Sequence, residues 1–412
     1  MRKKSLLKTG LSLAMVLCMT VALTACGGAA SAPAESAAES GEAGSASAGG
    51  AIKIGGSGPL TGPAAVYGNA VKAAAEMAVE EVNAKGGLQF ELDFEDDTHD
   101  AEKAVSAYGA LKDWGMQVSL ATVTSAPGAA VSQMYQDDHI FAITPSGSSL
   151  AVIYQDPDNA ASPYGNIFQM CFTDPNQGIA SADYLAGHSD LGSKIAIIYK
   201  NDDNYSSGIY TKFRAEADEK GLEVVYEGTF DDSNASDFSV QLKKAKDAGA
   251  DLIFLPIYYD PASLILTQAN QMDYKPTFFG VDGMDGILTL EGFDTSLAEG
   301  VYLLTPFSAD ATDELTQNFT KNYKARNQDE IPNQFAADAY DCVFAIAQAC
   351  EAAGVTADMS ASDICDALTK QFTSMTFNGL TGQNVTWSES GEVSKSPKAV
   401  VIKDGVYVGV EE

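Results

Sequence analysis

The chain has 412 residues, 45% of them hydrophobic, which is enough for roughly two or three domains with buried cores. Its 25 basic and 56 acidic residues give a formal net charge of −31. A surface this acidic repels the phosphates of nucleic acids and of anionic lipid headgroups, so no nucleic-acid partner is expected.

The N-terminal segment is typical of a secretory leader. Four basic residues precede an apolar run that ends near Ala25 and is too short for a comfortable membrane span. The run closes with "LTAC", residues 23–26, which resembles a bacterial lipobox, where a signal peptidase cuts before a lipid-carrying cysteine. We therefore expect residues 1–25 to be a lipoprotein signal peptide and Cys26 to be lipidated. An ordinary leader with a chance cysteine is the alternative.

Residues 26–50 are predicted to be the lipidated cysteine followed by a disordered tether. The sequence "GGAASAPAESAAESGEAGSASAGG" has no large apolar side chain to bury. A flexible segment of this length reaches roughly 25 to 30 Å, enough to hold a globular body away from a membrane surface.

Strand-like and helix-like segments alternate from Ala51 onward. The first strand is "AIKIGGSG", a helix is predicted over residues 61–85, and "LQFELDFEDD" alternates apolar and polar residues as a half-buried strand does. Further strands are predicted at "MQVSLATV", "HIFAITP", "KIAIIYK", "LEVVYEGTF", "ADLIFLPIYY", "PTFFGV", "GVYLLTPF" and "AVVIKDGVYV". Helical segments fill most of the gaps, notably residues 333–353. Short apolar strands separated by helices predict an α/β fold with two doubly wound, parallel-sheet lobes.

The cysteines and histidines give no sign of a metal or cofactor site. Cys342 and Cys350 fall on one predicted helix, about 12 Å apart along its axis, which is beyond disulfide reach. We expect both, together with Cys171 and Cys365, to be buried and unpaired. The sequence has no CxxC, and its three histidines lie far apart, so neither a metal nor a cofactor is expected.

Six loops at predicted strand ends carry the candidate chemistry, because ligands of doubly wound sheets bind beyond the carboxyl ends of the strands. They are "GPLTGPAAVYG", "TSAPG", "PSGSS", "KNDDNYSSG", "PIYYDP" and "GVDGMDG". The first three are small, hydroxylated and uncharged, whereas the last three bring tyrosines and carboxylates. One half of the cleft would offer N–H and O–H donors and the other half negative charge. This pattern suits a ligand that has a carboxylate at one end and an ammonium at the other.

The same loops could instead belong to a dinucleotide site, a hydrolase active site or structural turns. "GGSGPLTG" lacks the third glycine of a dinucleotide-binding turn. Ser125 lies in no GxSxG sequence, and no histidine falls in the other loops, so an activating base for hydrolysis is missing. The hydroxyl loops are equally explained as helix caps, Tyr258 and Tyr259 as packing residues, and Asp282 as a turn residue.

Several segments, taken in order, resemble a known family. They are "AIKIGGSGPLTGPAAVYGNAVKAAAEMAVEEVNAKGG", "FEDDTHDAEKAVSAYGAL", "ITPSGSSLAVI", "CFTDPNQGIASADYL" and "GVDGMDG". As an ordered set they are similar to the leucine/isoleucine/valine-binding branch of the type I periplasmic binding proteins, the substrate-binding subunits of ABC importers. The resemblance implies a Venus-flytrap with two lobes joined by three crossovers, lobe 1 being residues 51–173 plus 306–396 and lobe 2 residues 174–305 plus 397–412.

The resemblance also implies a ligand site made of both lobes. Ser125 and the loop of Ser146, Gly147 and Ser148 match the family's carboxylate-binding positions, with the second hydroxyl falling on Ser148. The aromatic residues that cover the ligand match Tyr67, Tyr205 and one of Tyr258 or Tyr259. Asp282 matches the acid that receives the α-ammonium, where the family often has the longer Glu. The expected ligand is an amino acid, and no catalytic residue is implied.

These observations predict an extracytoplasmic receptor, anchored by lipid to the outer face of a bacterial cell membrane or periplasmic. It would be a monomer that delivers an amino acid, branched-chain aliphatic by the resemblance, to the permease of an ABC importer. The alternatives are a receptor for an aromatic acid, an amide or a short peptide, a ligand-sensing domain of a membrane signalling protein, and an enzyme.

Overall fold

The computed structural model describes residues 50–410. The predicted signal peptide and most of the predicted tether, including Cys26, lie outside the described residues, and what is expected of them stays a prediction. Within residues 50–410, no helix is long and apolar enough to cross a membrane.

The described residues alternate strands and helices as predicted. The strands are β1 (Ile52–Gly58), β2 (Phe90–Asp96), β3 (Val118–Thr122), β4 (Phe141–Thr144), β5 (Ile167–Gln169), β6 (Lys194–Lys200), β7 (Glu223–Phe230), β8 (Leu252–Leu255), β9 (Thr277–Gly280), β10 (Tyr302–Thr305), β11 (Lys398–Lys403) and β12 (Val406–Gly409). The helices are α1 (Ala65–Ala84), α2 (Ala101–Trp114), α3 (Ser125–Asp137), α4 (Leu150–Ile153), α5 (Asp174–Gly187), α6 (Asn204–Lys220), α7 (Ser239–Asp247), α8 (Tyr259–Gln271), α9 (Glu314–Arg326), α10 (Gln334–Ala353) and α11 (Ala361–Phe372).

Local sequence explains where several helices begin and end. The side chains of Asp100, Asp203 and Asn333 each accept a hydrogen bond from a backbone N–H in the first turn of α2, α6 and α10. Helix α1 begins four residues later than predicted, because Gly62 adopts a left-handed φ of 88° that a helix cannot include. Because most strands are followed by a helix, the turns between strand ends and helix starts lie at one edge of each sheet.

The first sheet has five parallel strands in the order β2-β1-β3-β4-β5. At its two edges β1 pairs with β2 through registers such as Ile54 with Leu92, and β4 pairs with β5 through Ile143 with Phe168. The order reverses at β1, so the loops after β1 and β3 flank the crevice that this topology creates. The short strand β5 was not predicted from the sequence.

The second sheet has seven strands in the order β12-β11-β10-β9-β8-β6-β7. Strands β6 to β10 are parallel, but β11 runs antiparallel to β10, and β12 runs antiparallel to β11. The expectation of wholly parallel sheets is therefore wrong at this edge. For β11 and β12 the reason is local: Asp404 and Gly405, both with positive φ, turn "AVVIKDGVYV" into a hairpin, which joins neighbouring strands antiparallel.

The α/β class with two helix-covered sheets is confirmed, and one predicted strand end is corrected. Strand β8 ends at Leu255, so the tyrosines of "ADLIFLPIYY" lie beyond it: Tyr258 precedes α8 and Tyr259 is its first residue. The proposed lobe boundaries, 51–173 plus 306–396 and 174–305 plus 397–412, stay a prediction.

The cysteines behave as small apolar core residues. Cys171, Cys342, Cys350 and Cys365 are buried and unpaired, which confirms the prediction made for them. Burial raises the pKa of the Cys365 thiol to about 11 and that of Cys350 to about 12, so both thiols stay protonated near neutral pH.

Candidate functional site

The loops at the carboxyl ends of both sheets meet at one place. From the first sheet come the residues after β3 and β4, and from the second come the start of α6 and the residues after β8 and β9. Helix α1 contributes Tyr67, whose hydroxyl donates to the backbone oxygen of Gly283, just past β9. Tyr67, on a helix that covers the first sheet, thus makes a hydrogen bond to a loop of the second sheet.

Asp282 lies at the centre of this contact. It begins a short 3-10 helix (Asp282–Met284) and is 3% exposed. The hydroxyl of Tyr205 donates to its Oδ1 at 2.5 Å, while its own N–H donates to Gln177 Oε1 at 3.3 Å. Burial raises the pKa of Asp282 to about 7, and the bonds from Tyr205 and Gln177 offset part of that effect. The carboxyl group is therefore poised to change charge near neutral pH.

Tyr258 connects the acidic side of the site to the hydroxyl loops. Its ring stacks on that of Tyr205 with centroids 4.5 Å apart and planes 8° from parallel. The backbone N–H of Ser125 lies close enough to the Tyr258 hydroxyl to lower its pKa, although burial raises that pKa overall. Ser125 and Asp282 thus lie on either side of one tyrosine pair rather than on separate surfaces.

The Tyr259 side chain makes its contacts with Tyr67 and Val66. Its ring packs edge-on against Tyr67 at 4.8 Å, and its hydroxyl accepts from the N–H of Val66 at 3.3 Å. Its backbone N–H donates to the Tyr67 hydroxyl at 3.2 Å. Of the two neighbouring tyrosines, Tyr258 is therefore the one beside Tyr205 and Ser125, and Tyr259 supports Tyr67.

The Ser125 hydroxyl sits at the start of α3, where Thr124 precedes the helix. Its Oγ accepts from the backbone N–H of Ser149 at 3.2 Å, which ties the loops after β3 and β4 together. It is 1% exposed. Because this bond uses a lone pair of the oxygen and not its proton, the hydroxyl can still donate.

Ser146 and Gly147 are already engaged within their own loop. Ser146 Oγ donates to the backbone oxygen of Val123 at 2.6 Å, and the Gly147 N–H donates to Thr144 Oγ1 at 2.7 Å. Both bonds hold the loop in shape. Whether these two residues also contact a ligand stays a prediction.

Ser148, Asp174 and Gln177 carry unsatisfied polar atoms at the site. Ser148 Oγ, both carboxylate oxygens of Asp174 and Gln177 Nε2 are buried without a hydrogen-bond partner. Asp174 begins α5 and was not predicted to belong to the site, although it lies in the quoted segment "CFTDPNQGIASADYL". An acid one residue after Thr173, which caps the helix, is explained by helix chemistry alone, so the sequence carried no distinct signal for it.

A histidine also approaches the site, contrary to expectation. His99 Nδ1 lies 2.9 Å from Thr124 Oγ1, and its ring meets that of Tyr258 edge-on at 5.4 Å. It is carried by the loop after β2, where Asp97 Oδ1 accepts from the His99 N–H and holds an αL turn. Tertiary contact brings it here, which its distance along the sequence did not reveal.

The assembled site combines hydroxyls, stacked tyrosines and buried carboxylates. Within residues 50–410, none of the ion pairs includes Asp282 or Asp174, and no group of three or more histidine, cysteine or acidic residues is placed to hold a metal ion. Such an arrangement is suited to bind a small ligand that supplies its own positive charge.

Comparisons with known proteins agree with this geometry. The sequence model of the family described as "Periplasmic binding protein" matches residues 51–405. The chain is 30% identical over 367 residues to Leu/Ile/Val-binding protein homolog 3 of Brucella melitensis, covering 87% of this chain and 94% of that protein. It is 28% identical over 346 residues to the leucine-, isoleucine-, valine-, threonine-, and alanine-binding protein of Pseudomonas aeruginosa, covering 83% and 87%.

A solved structure shows the same fold. The branched-chain amino acid transporter substrate binding protein of Streptococcus pneumoniae, in complex with isoleucine, superposes with a TM-score of 0.76. It is 26% identical and covers 88% of this chain and 99% of that chain.

Proposed function

This chain belongs to the periplasmic binding protein family, and from that premise we propose that it binds a branched-chain aliphatic amino acid between its two lobes and delivers it to an ABC permease. The family is one of solute receptors, so the chain is a receptor and not an enzyme. The relatives' names make leucine, isoleucine and valine the first ligands to test.

The observation that carries the proposal is the burial of Asp282 beside the hydroxyl loops without a cationic partner. The ligand's ammonium would pair with Asp282, and its carboxylate would accept from Ser125 and from the loop of Ser148. Tyr67, Tyr205 and Tyr258 would enclose the side chain, with Tyr259 supporting Tyr67. Ser146 and Gly147 would shape the carboxylate end.

Closure of the lobes follows from where the two ends of the ligand bind. The carboxylate end would lie on loops of the first sheet, and the ammonium end on Asp282 beyond the second. Lobe 1 would be residues 51–173 plus 306–396, and lobe 2 would be 174–305 plus 397–412. A ligand that contacts both lobes favours the closed state by its differential affinity, and the permease would recognise that state.

The location proposed for the receptor is outside the cytoplasm. The lipid on Cys26 would hold it at the outer face of the cell membrane, and the tether of residues 27–50 would let a monomeric binding unit reach the permease.

A different ligand class is the alternative. An aromatic acid would pack against the tyrosine rings of the site, but it has no ammonium for Asp282, whose carboxyl group would then stay protonated or unpaired. The buried acid therefore favours the amino acid.

Two measurements test the proposal. Mass spectrometry of small molecules released by denaturing the purified protein should identify a branched-chain amino acid. Calorimetric titration of ligand-free protein should show binding of leucine, isoleucine or valine. Release of an aromatic acid, together with no heat from any of the three amino acids, would contradict the proposed ligand class.

A further inference from the structure

Helix α10 begins at a place where the two sheets meet. It packs against α1 and against β3 and β4, so it belongs to the body of the first sheet. Its first residue, Gln334, is 2% exposed. The first N–H groups of a helix have no partner within the helix. The buried start of α10 therefore needs acceptors from outside its own backbone.

Asn333 supplies one of these acceptors from the same body. Its Oδ1 accepts from the Ala336 N–H at 3.1 Å, as the side chain of an N-cap residue does. The Gln334 N–H donates instead to Asp285 Oδ2 at 2.8 Å, and Asp285 follows β9 of the second sheet. The start of α10 is thus capped twice, once from its own body and once by a carboxylate of the other.

The side chain of Gln334 makes a second bond to the same loop. Its Nε2 donates to the backbone oxygen of Asp282 at 2.8 Å. The loop is anchored to the second sheet, since the Gly286 N–H donates to the hydroxyl of Tyr407 on β12 at 3.0 Å. Gln334 therefore holds, from the first sheet, the loop that carries the acid of the candidate site.

The charge of Asp285 strengthens this contact. Burial raises the pKa of Asp285 to about 6, so the carboxyl group is mostly ionised at pH 7. An anion at a helix N-terminus interacts favourably with the helix dipole, and a hydrogen bond to an ionised acceptor is roughly twice as strong as a neutral one. Asp285 Oδ1 is buried without a hydrogen-bond partner, although the Tyr407 hydroxyl lies near enough to lower the pKa. The Gln334 N–H therefore compensates the burial of the other oxygen, Oδ2.

We propose that Gln334 and Asp285 are positioning residues that lock the loop of Asp282 to α10 when the lobes are together, and so stabilise the closed receptor without contacting the ligand. This pair is called the α10 lock. The proposal rests on the proposed function and deepens it. Both bonds join groups of different sheets, so both must break when the lobes separate. A contact made only in the closed state raises its population, and the apparent affinity for a ligand rises with the population that is competent to hold it.

The α10 lock should act on release of the ligand more than on its capture. A bound ligand leaves after the lobes separate, and separation must first break both bonds. Capture by the open protein requires neither bond. Loss of the lock should therefore raise the dissociation rate constant of leucine and leave the association rate constant nearly unchanged. A general loss of stability would not produce this difference between the two rate constants.

The test compares Asp285→Ala with Asn333→Ala at pH 7 by stopped-flow tyrosine fluorescence with leucine. Each variant removes one acceptor from the start of α10, but only Asp285 belongs to the other sheet, so Asn333→Ala is the matched control. We expect Asp285→Ala to raise the dissociation rate constant at least fivefold and to change the association rate constant less than twofold. Asn333→Ala should change both less than twofold. Asp285→Asn keeps an acceptor oxygen and should recover part of the loss.

Hydrogen exchange of the Gln334 N–H, followed by NMR, provides a measurement that needs no amino-acid ligand. This N–H should exchange at least tenfold more slowly in wild type than in Asp285→Ala. Equal exchange in the two proteins, an unchanged dissociation rate constant in Asp285→Ala, or an equal increase in Asn333→Ala would overturn the α10 lock. Failure of wild type to bind any of the three branched-chain amino acids would instead overturn the proposed function, and the exchange rates would still decide whether the lock forms.

Discussion

Two groups of buried carboxylates in this protein differ in what compensates them. In the acid–lysine cluster, formed by Asp338, Asp341, Thr381 and Lys395, the Lys395 ammonium lies 2.6 Å from Asp338 Oδ1, and both side chains are 2% exposed. Asp341 accepts from two backbone N–H groups and from the Thr381 hydroxyl. In the second group, the buried acids of the candidate site, Asp282 accepts a hydrogen bond from the Tyr205 hydroxyl and the Asp174 carboxylate has no hydrogen-bond partner.

The difference separates a structural role from a binding role. The two groups are near each other. This follows from the Cys171 thiol, whose pKa is affected by charges of both groups: Asp338, Asp282, Lys395 and Asp174. Burial opposes ionisation in both. Where the protein supplies the cation, removing it would leave a buried charge uncompensated, and where the protein supplies none, we expect the ligand to supply it.

The largest expected effect comes from removing the lysine. Lys395→Met should lower the free energy of unfolding at pH 7 by about 3 to 5 kcal/mol, because it leaves Asp338 buried without its counter-charge. Urea or thermal unfolding measures this. Lys243→Met is the matched control: its ion pair with Asp247 is exposed, so a change within about 0.5 kcal/mol is expected. Similar losses in both variants would remove the distinction between the two groups.

Removing Asp282, the buried acid of the candidate site, should affect binding instead. Asp282→Ala should weaken leucine by about 2 to 5 kcal/mol, at least tenfold, because the ligand's ammonium loses its buried partner. Calorimetric titration gives the affinity, and circular dichroism melting of the ligand-free variant should show no loss of stability comparable to that of Lys395→Met. Unchanged leucine affinity would exclude Asp282 from the site.

A pair of tyrosine variants sharpens the contrast within the site. Tyr205→Phe removes a hydrogen bond to a carboxylate, and such bonds contribute about 1.5 to 3 kcal/mol. It should weaken leucine accordingly, and less at pH 8 than at pH 7, since the pKa of Asp282 would rise further without this donor. Tyr259→Phe removes only an acceptor for the Val66 N–H and should change affinity less than threefold. Equal effects in calorimetry would contradict the assignment of Tyr205 to the acid.

The smallest effect is a pH dependence with opposite signs for stability and binding. Asp282 has a folded pKa of about 7, above its usual value of 3.8, so folding takes up a proton between these values. Ligand-free stability should therefore fall as pH rises from 5 to 7, by at most about 1.4 kcal/mol per pH unit from this group. Leucine binding needs the ionised form and should weaken as pH falls below 7.

Asp282→Asn checks this assignment, since it should reduce the slope between pH 6 and 7. Asp338, with a pKa of about 6, contributes the same sign only below that value and is unchanged in the variant. Unfolding curves at several pH values, and titrations at pH 5, 7 and 8, provide the measurement. A slope between pH 6 and 7 that is as steep in Asp282→Asn as in wild type would assign it to another group.

Much of the fold was predictable because its signals are local. Apolar strands of four to eight residues, side-chain caps such as Asp203 and Asn333, and loops at strand ends all follow from neighbouring residues. The antiparallel direction of β11 and β12 was missed because a short apolar run does not indicate which strand it pairs with. Strand β5 was missed because its three residues, Ile167–Gln169, are too few to show a period.

The site was predictable only where residue type and strand position agreed. Asp282 and Ser125 fall in loops at predicted strand ends, where ligands of doubly wound sheets bind, so the sequence singled them out. The choice between Tyr258 and Tyr259 depends on where α8 begins, since the fold stacks Tyr258 on Tyr205 and places the Tyr259 hydroxyl at the Val66 N–H. Asp174 could not be found, because its lack of a partner is a property of the packed structure.

A crystal structure of the protein with bound leucine tests the central claim most directly. The account predicts density for leucine between the two sheets, with its nitrogen within hydrogen-bonding distance of Asp282 and its carboxylate facing Ser125. Leucine bound elsewhere, or bound in the cleft with its nitrogen turned away from the acid, would contradict it.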